Sequence, residues 1–277
     1  MIMNKDDIFR IDIDKVLRSK APTKYNKIPK FLVRYLKRIV HQDDINGIIE
    51  RNHDKYGVDF MNALVTKEFD IKLKTIGEEN IPNEGLFIFA SNHPLGGLDG
   101  ICLSAYLGNK YKGKIRYLVN DILLNIKNLE TIFIPINKHG VQAKKSVEII
   151  NEAYASDNQI ITFPAGLCSR KQDGQICDLE WMKNFISKAV EYKRNIIPVH
   201  FEGKNSNFFY NLANFRKKAG IKFNIEMLYL PDEMFKNKHQ TFTITFGKPI
   251  PWSSLDTSKT QKLWAEEIKK TVYSLNK

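Results

Sequence analysis

Short apolar runs that predict β-strands alternate along this chain with longer segments of helical periodicity. The strand-like runs are residues 70–77, 85–90, 115–119, 131–136, 159–163, 196–201 and 242–246, and the helical segments are residues 101–107, 141–156, 179–193 and 259–275. Apolar side chains alternate with polar ones or fill the short runs, whereas they recur every three to four residues in the longer segments. This alternation predicts an α/β fold with a mixed, largely buried sheet flanked by helices.

The residues that precede this α/β region are strongly basic and predict a helical region. Residues 15–42 contain no Asp or Glu, and their cations are Lys15, Arg18, Lys20, Lys24, Lys27, Lys30, Arg34, Lys37 and Arg38. Residues 28–40 combine this charge with apolar residues at helical spacing, and residues 44–64 predict a second helix. We therefore divide the chain into an N-terminal basic amphipathic helical pair, residues 1–66, and an α/β domain, residues 67–277.

A basic amphipathic helix of this kind is typical of proteins that bind at a membrane surface. The residues expected at the boundary between lipid headgroups and acyl chains are Phe31, Leu32, Tyr35 and Leu36. The cations of the same helix would then lie near anionic lipid. The alternative is that the helix packs on the α/β domain and exposes only its basic face to solvent.

The composition restricts the partners and the setting of the chain. The net charge of +12 indicates an acidic partner, which could be nucleic acid, an anionic bilayer or an acidic carrier molecule. No stretch approaches the roughly 20 consecutive apolar residues of a spanning helix, so membrane contact is expected to be peripheral. Cys102, Cys168 and Cys177 are odd in number and irregularly spaced, which predicts neither a disulfide framework nor a zinc site and favours a reducing cytoplasmic setting.

Residues 91–100 place a histidine and an aspartate at opposite ends of a glycine-containing loop, between a buried strand and a helix. Such a loop can bring Asp99 back against one imidazole nitrogen of His93, because Gly96 and Gly97 tolerate unusual backbone dihedrals. The other nitrogen would face a cleft as a general base, while Asp99 orients the ring and stabilises the imidazolium. The alternative is structural: a His-Pro turn in which Asp99 only caps the next helix.

Other predicted strands also end in loops with polar or charged residues. One loop begins at Pro164 and ends with Ser169, Arg170 and Lys171, a hydroxyl and two cations that suit an anionic headgroup or a phosphate. Lys138 lies just beyond the predicted strand 131–136. An Ile-Pro-Val sequence lies within the predicted strand 196–201. Ligands of open α/β sheets bind at the carboxyl ends of the strands. The sequence therefore predicts a binding site at this edge of the sheet.

Taken in order, these motifs resemble the four sequence blocks of the glycerolipid acyltransferase superfamily. The blocks here are the His-loop-Asp segment, Phe-Ile-Pro followed by Lys138, Phe-Pro-x-Gly followed by Ser-Arg, and Ile-Pro-Val. The resemblance covers about residues 69–251, and the basic helices before it resemble the membrane-seating helices of that family. The spelling Asn-His-Pro-Leu-Gly-Gly-Leu-Asp-Gly is similar to the hemolysin-like branch, which is in turn similar to lyso-ornithine-lipid acyltransferases.

The resemblance implies an O-acyltransferase that moves a fatty acyl group from acyl-carrier protein or acyl-CoA, as co-substrate, to the hydroxyl of a lysolipid. It implies that His93 is the general base and that Asp99 is its orienting acid. The residues expected to bind the acceptor are Lys138, Gly166, Ser169, Arg170 and Lys171. No metal or other cofactor and no nucleic-acid partner are expected. The expected location is peripheral, on the anionic cytoplasmic face of the inner membrane.

The sequence departs from the family pattern at two positions. Five residues, rather than the usual four, separate His93 from Asp99, and Gly96 and Gly97 could absorb the additional one. Ala165 stands where the family usually has a glutamate. We therefore expect that another acid takes the role of this glutamate or that the acceptor differs, and we favour a lyso-aminolipid over lysophosphatidate.

Two other functions are compatible with parts of the pattern. A lipid- or nucleic-acid-binding module without catalysis would use the basic segments, and its aromatic residues could be Phe208, Phe209, Tyr210, Phe215 and Phe223. Such a module has no need of a base and an acid at a strand end. A lipid hydrolase is disfavoured because the chain lacks the Gly-x-Ser-x-Gly sequence of serine esterases.

Overall fold

The computed structural model of the chain describes residues 9–20, 22–119, 126–135 and 141–276. Its N-terminal region consists of short helices. They are α1 (Ile13–Lys20), α2 (Lys30–Ile39), α3 (Gln42–Arg51) and α4 (Gly57–Ala63), the last of which continues as a π-helical turn over Leu64–Glu68. None of the described helices is long and apolar enough to cross a membrane.

The centre of the structure is a mixed β-sheet. Its strands are β1 (Lys72–Ile76), β2 (Phe87–Ser91), β3 (Ile115–Val119), β4 (Phe133–Pro135), β5 (Gln159–Thr162), β8 (Asn195–Phe201) and β9 (Thr241–Phe246). In the described residues they form one seven-stranded sheet in the order β1-β9-β8-β2-β5-β3-β4, parallel except between β8 and β9. A separate antiparallel hairpin consists of β6 (Arg170–Gln172) and β7 (Gln175–Cys177). The predicted α/β fold is therefore confirmed.

Helices cover both faces of this sheet. The later helices are α5 (Leu98–Lys110), α6 (Val141–Ala155), α7 (Asn184–Glu191), α8 (Asn207–Lys218), α9 (Leu230–Lys236) and α10 (Gln261–Ser274). Phe60 of α4 and Leu103 of α5 belong to one core with Phe89 of β2, whereas Phe185 of α7 belongs to a second core with Ile88. Successive residues of β2 thus serve opposite faces, as the pleat of a fully buried strand requires. The predicted boundary after residue 66 stays a prediction.

Three features of the fold differ from the sequence-based expectation. The helix predicted over residues 44–64 is divided at residues 52–56, because Gly57 has a left-handed φ of +54° and lies so close to Thr131 that a Cβ would be 2.7 Å from its hydroxyl. The helix predicted over residues 179–193 begins at Asn184. The sequence pattern does not predict the β6–β7 hairpin or helices α8 and α9, because no single period persists in their short apolar runs.

Helix α2 packs on the rest of the protein through part of its apolar surface. Val33 and Ile39 are buried, which agrees with the packing alternative for that side of the helix. The residues predicted at the lipid boundary divide into two exposed ones, Phe31 and Leu32, and two half-buried ones, Tyr35 and Leu36. Phe31, with 68% of its surface exposed, projects into solvent on the same side as Arg34. Membrane contact by this end of α2 stays a prediction.

Candidate active site

Loops that carry the predicted site residues meet at one edge of the sheet, because β2, β5 and β8 are parallel neighbours. Ala90 of β2 pairs with Thr162 of β5 and with Pro198 of β8. The loop after β2 carries His93, and the loop after β5 carries Ser169. The carboxyl ends of parallel strands are the usual ligand-binding edge of such sheets. This edge is the candidate active site.

His93 and Asp99 lie within hydrogen-bond distance of each other. The imidazole Nδ1 is 2.9 Å from Asp99 Oδ2. The Asp99 carboxylate is fully buried and also accepts hydrogen bonds from the backbone N–H groups of Leu95 (3.0 Å), Gly96 (3.4 Å) and Gly100 (2.9 Å). An acceptor fixed in this way makes Nδ1 the protonated nitrogen and leaves Nε2 as the basic one. In the part of the chain that the structure describes, Nε2 has no hydrogen-bond partner.

The turn that joins this pair depends on Gly96 rather than on Gly97. Gly96 has a left-handed φ of +77°, and a Cβ there would lie 2.9 Å from Leu230 Cδ2 and 3.0 Å from Cys168 Cβ. Gly97 has a φ of −171°, which any residue adopts, and a Cβ there would meet nothing within 4 Å. Gly96 therefore accommodates the additional residue of the loop, and it also permits close approach of the neighbouring chain segments.

Asp99 controls the protonation of His93. Burial opposes charging of the imidazole, but the negative charge and hydrogen bond of Asp99 outweigh burial and raise the pKa of His93 above its ordinary value. Burial also opposes ionisation of Asp99, but the imidazole and the backbone N–H groups hold the pKa of this carboxyl below its usual range. The ring of Phe163 covers the imidazole at a centroid distance of 4.3 Å. His93 is thus a stronger base than an exposed histidine, and Asp99 stays ionised.

A second buried acid, Asp178, joins the two loops of the site. Its Oδ1 accepts hydrogen bonds from the Ser169 hydroxyl at 2.6 Å and from the backbone N–H of His93 at 3.2 Å. Its Oδ2 accepts a hydrogen bond from Trp181 Nε1 at 2.9 Å. The Ser169 N–H donates in turn to the carbonyl of His93 at 2.8 Å. Burial raises the pKa of Asp178, whereas these donors favour its ionised form.

The C-terminal helix α10 supports the backbone of this acid. The Tyr273 hydroxyl accepts a hydrogen bond from the Asp178 N–H at 2.7 Å. The Lys269 ammonium donates to the carbonyls of Asp178 and Leu179 at 3.0 and 3.1 Å. Ala165, at the position where the family usually has a glutamate, packs against apolar residues. The acid that contacts the third sequence block is Asp178, and its taking the role of that glutamate stays a prediction.

The guanidinium of Arg170 is directed into the protein. Its terminal nitrogens donate to the carbonyl of Cys168 at 2.7 Å and to the carboxylate of Glu226 at 3.0 Å. Glu226 is fully buried and also pairs with Arg216 at 2.9 Å. Because the single negative charge of Glu226 lies between the two positive charges of Arg170 and Arg216, this cluster carries a net positive charge beside the site. The charge of Arg170 opposes protonation of His93 and therefore acts to lower its pKa, against the larger effect of the neighbouring carboxylate.

The other predicted site residues take different positions. Lys138 lies outside the described residues. Gly166 has a left-handed φ of +67° in the turn after β5, where its N–H donates to the carbonyl of Phe163 at 2.9 Å. Lys171 is partly exposed on β6. The buried thiol of Cys168 has its pKa raised to about 11 by burial, which argues against a nucleophilic role.

Sequence reasoning missed the roles of Asp178 and Glu226. Asp178 precedes a predicted helix and suggests an N-cap, whereas it lies well before α7, which has Lys183 at its N-cap position. Glu226 carries a detectable signal, since it is the first acid after residues 203–225, which contain none. Within the described ranges, no group of three or more His, Cys, Asp or Glu side chains is placed to hold a metal ion.

Comparison with known families decides the class of this site. The model of the family described as Acyltransferase matches residues 15–277. The chain belongs to this acyltransferase family. The match includes most of the basic N-terminal region as well as the α/β domain. The protein is therefore an enzyme of the acyltransferase class, as the four sequence blocks predicted.

Similar proteins include two named relatives. The chain is 57% identical to a lyso-glycine lipid O-acyltransferase of Bacteroides thetaiotaomicron, over 99% of this chain and 100% of the relative. It is 54% identical to a protein of the same name from Phocaeicola vulgatus, over 99% of this chain and 98% of that relative. The crystal structure of the 1-acyl-sn-glycerophosphate acyltransferase PlsC from Thermotoga maritima matches with a TM-score of 0.50 and 15% identity, covering 95% and 93% of the two chains. This last likeness concerns the fold alone.

Proposed function

We propose that this acyltransferase moves a fatty acyl group from a thioester, acyl-carrier protein or acyl-CoA, to the free hydroxyl of a lyso-glycine lipid. The observation that carries the proposal is the contact between His93 and Asp99, at a strand end, in a chain of the acyltransferase family. The names of the relatives that are 57% and 54% identical support the acceptor.

In this proposal His93 acts as general base and then as general acid. Its Nε2 takes the proton of the acceptor hydroxyl while the hydroxyl oxygen attacks the thioester carbonyl carbon. A C–O bond forms, and collapse of the tetrahedral intermediate breaks the C–S bond. The leaving thiolate takes the proton back from the imidazolium, so the products are an ester, a thiol and neutral His93. Asp99 stabilises the imidazolium between the two proton transfers.

The charges around the site favour a glycine headgroup over an ornithine headgroup. A lyso-glycine lipid is an N-acylated amino acid with a free hydroxyl on its acyl chain, so its headgroup carries a carboxylate and no amine. The carboxylates of Asp99, Asp178 and Glu226 are each engaged by donors within the protein, and none is offered to an ornithine ammonium. The net positive charge of Arg170 and Arg216 around Glu226 supports an anionic headgroup.

Lysophosphatidate is a less suitable acceptor in this proposal. Both terminal nitrogens of Arg170 donate to protein acceptors, so this residue does not offer a free two-pronged contact for a phosphate. A glycine carboxylate carries less charge than a phosphate monoester and needs less compensation from the site. Lys171, which is partly exposed, is the cation we assign to this carboxylate.

We further propose that the enzyme acts as a peripheral protein on the anionic cytoplasmic face of the inner membrane, where soluble thioesters meet lipid acceptors. The acid-free basic residues 15–42 and the exposed Phe31 and Leu32 support this location. The alternative of a binding module without catalysis is disfavoured because the chain belongs to an enzyme family. The expected absence of a nucleic-acid partner stays a prediction.

A competition assay tests the acceptor. Purified enzyme receives one acyl donor and equal concentrations of lyso-glycine lipid, lyso-ornithine lipid and lysophosphatidate, and the products are quantified by mass spectrometry. We expect the O-acylated glycine lipid to dominate. Product from lysophosphatidate alone would refute the proposed acceptor and leave the acyltransferase class standing. Parallel reactions with acyl-carrier-protein and CoA thioesters identify the donor.

A further inference from the structure

Helix α8 and the loop after it expose large aromatic residues. Phe208 and Phe215 are seven positions apart, so they lie on one side of the helix, two turns from each other. Their exposed fractions are 49% and 62%, and that of Phe223 is 63%. On the inner side of α8, Phe209 and Tyr210 are fully buried. Soluble monomers rarely expose contiguous large apolar patches without a binding function.

The exposed face of α8 is surrounded by cations and lacks acids. Residues 203–225 contain no Asp or Glu. Lys218 and Lys222 are exposed, whereas Arg216 is directed inward to its buried carboxylate partner. Aromatic rings settle at the boundary between headgroups and acyl chains, and lysines next to them attract anionic headgroups. An anionic bilayer therefore complements this face in both respects.

The same face adjoins helix α2. Tyr229, which follows α8, has its hydroxyl 2.7 Å from that of Tyr35 in α2, and its ring lies 5.0 Å from the ring of Phe208. Because α2 buries part of its apolar surface in the protein, the apolar side chains that it leaves exposed are Phe31 and Leu32. This is a small area for stable membrane contact, and α8 supplies the area that α2 lacks.

Helix α8 is also part of the surroundings of the candidate active site. Phe209 packs under the guanidinium of Arg170, with 5.4 Å between the guanidinium carbon and the ring centroid, and it shares a buried cluster with Cys168. A helix with its side chains is about 10–12 Å across. A bilayer that touches the outer side of α8 therefore lies about one helix diameter from the loop that carries Ser169.

We propose that the outer side of α8 and the loop after it form, together with α2, one docking surface for an anionic lipid bilayer. The residues of α8 and the loop that make the contact are Phe208, Phe215, Lys218, Lys222 and Phe223. The proposal rests on the proposed function, since a lysolipid acceptor is supplied by a membrane. It assigns membrane contact to a segment outside the N-terminal basic region, close to where the acceptor must enter.

Vesicle sedimentation tests this docking surface. The wild-type protein should bind vesicles that contain phosphatidylglycerol, bind pure phosphatidylcholine vesicles weakly, and lose binding as salt is added. The double variant Phe215→Ser with Phe223→Ser and the double variant Lys218→Glu with Lys222→Glu should each lower the apparent affinity by about tenfold or more.

Matched controls use exposed residues on other surfaces. Leu263→Ser changes an exposed apolar residue of α10, and the double charge reversal at Lys112 and Lys270 changes exposed lysines elsewhere. Both controls should bind vesicles like the wild type. Wild-type binding by folded α8 variants would overturn the proposal, and so would an equal loss of binding in the controls.

Acylation assays with the acceptor in vesicles and in detergent micelles distinguish failure of the docking surface from failure of the proposed function. With acceptor in vesicles, the rate of the α8 variants should fall with their binding, whereas with acceptor in detergent micelles it should stay near the wild-type rate. Loss of activity in both formats by folded variants would show that α8 acts in acceptor binding and would overturn the docking role. Absence of acylation by the wild type in both formats would instead refute the proposed function, and the binding data would still decide the docking surface.

Discussion

The hydroxyl of Ser169 donates a hydrogen bond to the buried carboxylate of Asp178, with 2.6 Å between Oγ and Oδ1. Because the same oxygen accepts the backbone N–H of His93, this acid joins the loops after β2 and β5, together with the direct hydrogen bond from the Ser169 N–H to the His93 carbonyl. An acceptor held by the second loop would therefore meet the base of the first at a fixed separation. Catalysis by proton transfer depends strongly on such positioning.

Asp178→Asn should disturb this arrangement. The amide has one acceptor oxygen, so its NH₂ group must face either Trp181 Nε1 or the donors of His93 and Ser169. We expect kcat to fall about tenfold or more and the free energy of unfolding to fall by about 1–3 kcal/mol. The charge of Asp178 also raises the pKa of His93, so the acidic limb of the pH–rate profile should move to lower pH.

The control for this variant is Asp157→Asn, which removes an exposed carboxylate paired with Lys114 and should leave stability and the pH profile close to those of the wild type. An Asp178→Asn protein with the wild-type rate and an unshifted pH profile would show that this acid has no positioning role.

The glycine pair in the loop between His93 and Asp99 offers a matched comparison. Gly96→Ala forces a Cβ to 2.9 Å from Leu230 and adds the left-handed penalty of about 1–2 kcal/mol, so stability and acyl transfer should both fall. Gly97→Ala meets open space and should stay within about 0.5 kcal/mol of the wild type. Thermal unfolding and initial rates check both. Equal effects of the two substitutions would contradict the described loop geometry.

The pH dependence of kcat/KM should report the pairing of His93 with Asp99. A general base must be neutral, and the pKa of His93 is raised, so the rate should fall as pH drops through a midpoint above the ordinary histidine value of about 6.5. In Asp99→Asn the stabilising negative charge is absent, so the midpoint should move to lower pH while the plateau rate falls. If the midpoint were the same in this variant as in the wild type, Asp99 would not be the residue that raises the pKa of His93.

Glu226→Gln should destabilise the protein, because it leaves the buried guanidinium of Arg170 and the partly buried one of Arg216 without their shared carboxylate. Removing one partner of a buried ion pair costs about 3–5 kcal/mol. Glu191→Gln removes an exposed carboxylate paired with Lys188 and serves as the control, which should unfold close to the wild-type midpoint. Chemical denaturation measures both variants, and equal stabilities would show that the cluster contributes nothing.

The parts of the site that sequence could predict are local ones. The His93–Asp99 contact could be predicted because both residues lie in one short loop that contains a flexible glycine. The strands could be predicted because each is a short run of apolar residues in the sequence. Asp178 lies nine residues after Ser169, but its contact with His93 joins positions separated by 85 residues along the chain. No local sequence pattern shows the packing of the two loops that makes this contact.

The direction of a charged side chain is also a property of the fold. Arg170 and Lys171 are neighbours of the same charge, yet the first is buried against Glu226 and the second is partly exposed. Successive side chains of a strand point to opposite sides, so Arg170 and Lys171 of β6 point in opposite directions. The side that is buried is the one that faces Glu226, which lies 56 residues further along the chain. For the same reason the periodicity of α2 could not show that Val33 faces the protein and Phe31 the solvent.

The substitution His93→Ala tests the central claim most directly. His53→Ala, which changes an exposed histidine of the N-terminal region, is the control for removal of an imidazole. If His93 takes the proton of the acceptor hydroxyl, the folded variant should transfer acyl groups about 10²–10⁴ times more slowly than the wild type, and His53→Ala should keep the wild-type rate. Acyl transfer near the wild-type rate by folded His93→Ala protein would contradict the account.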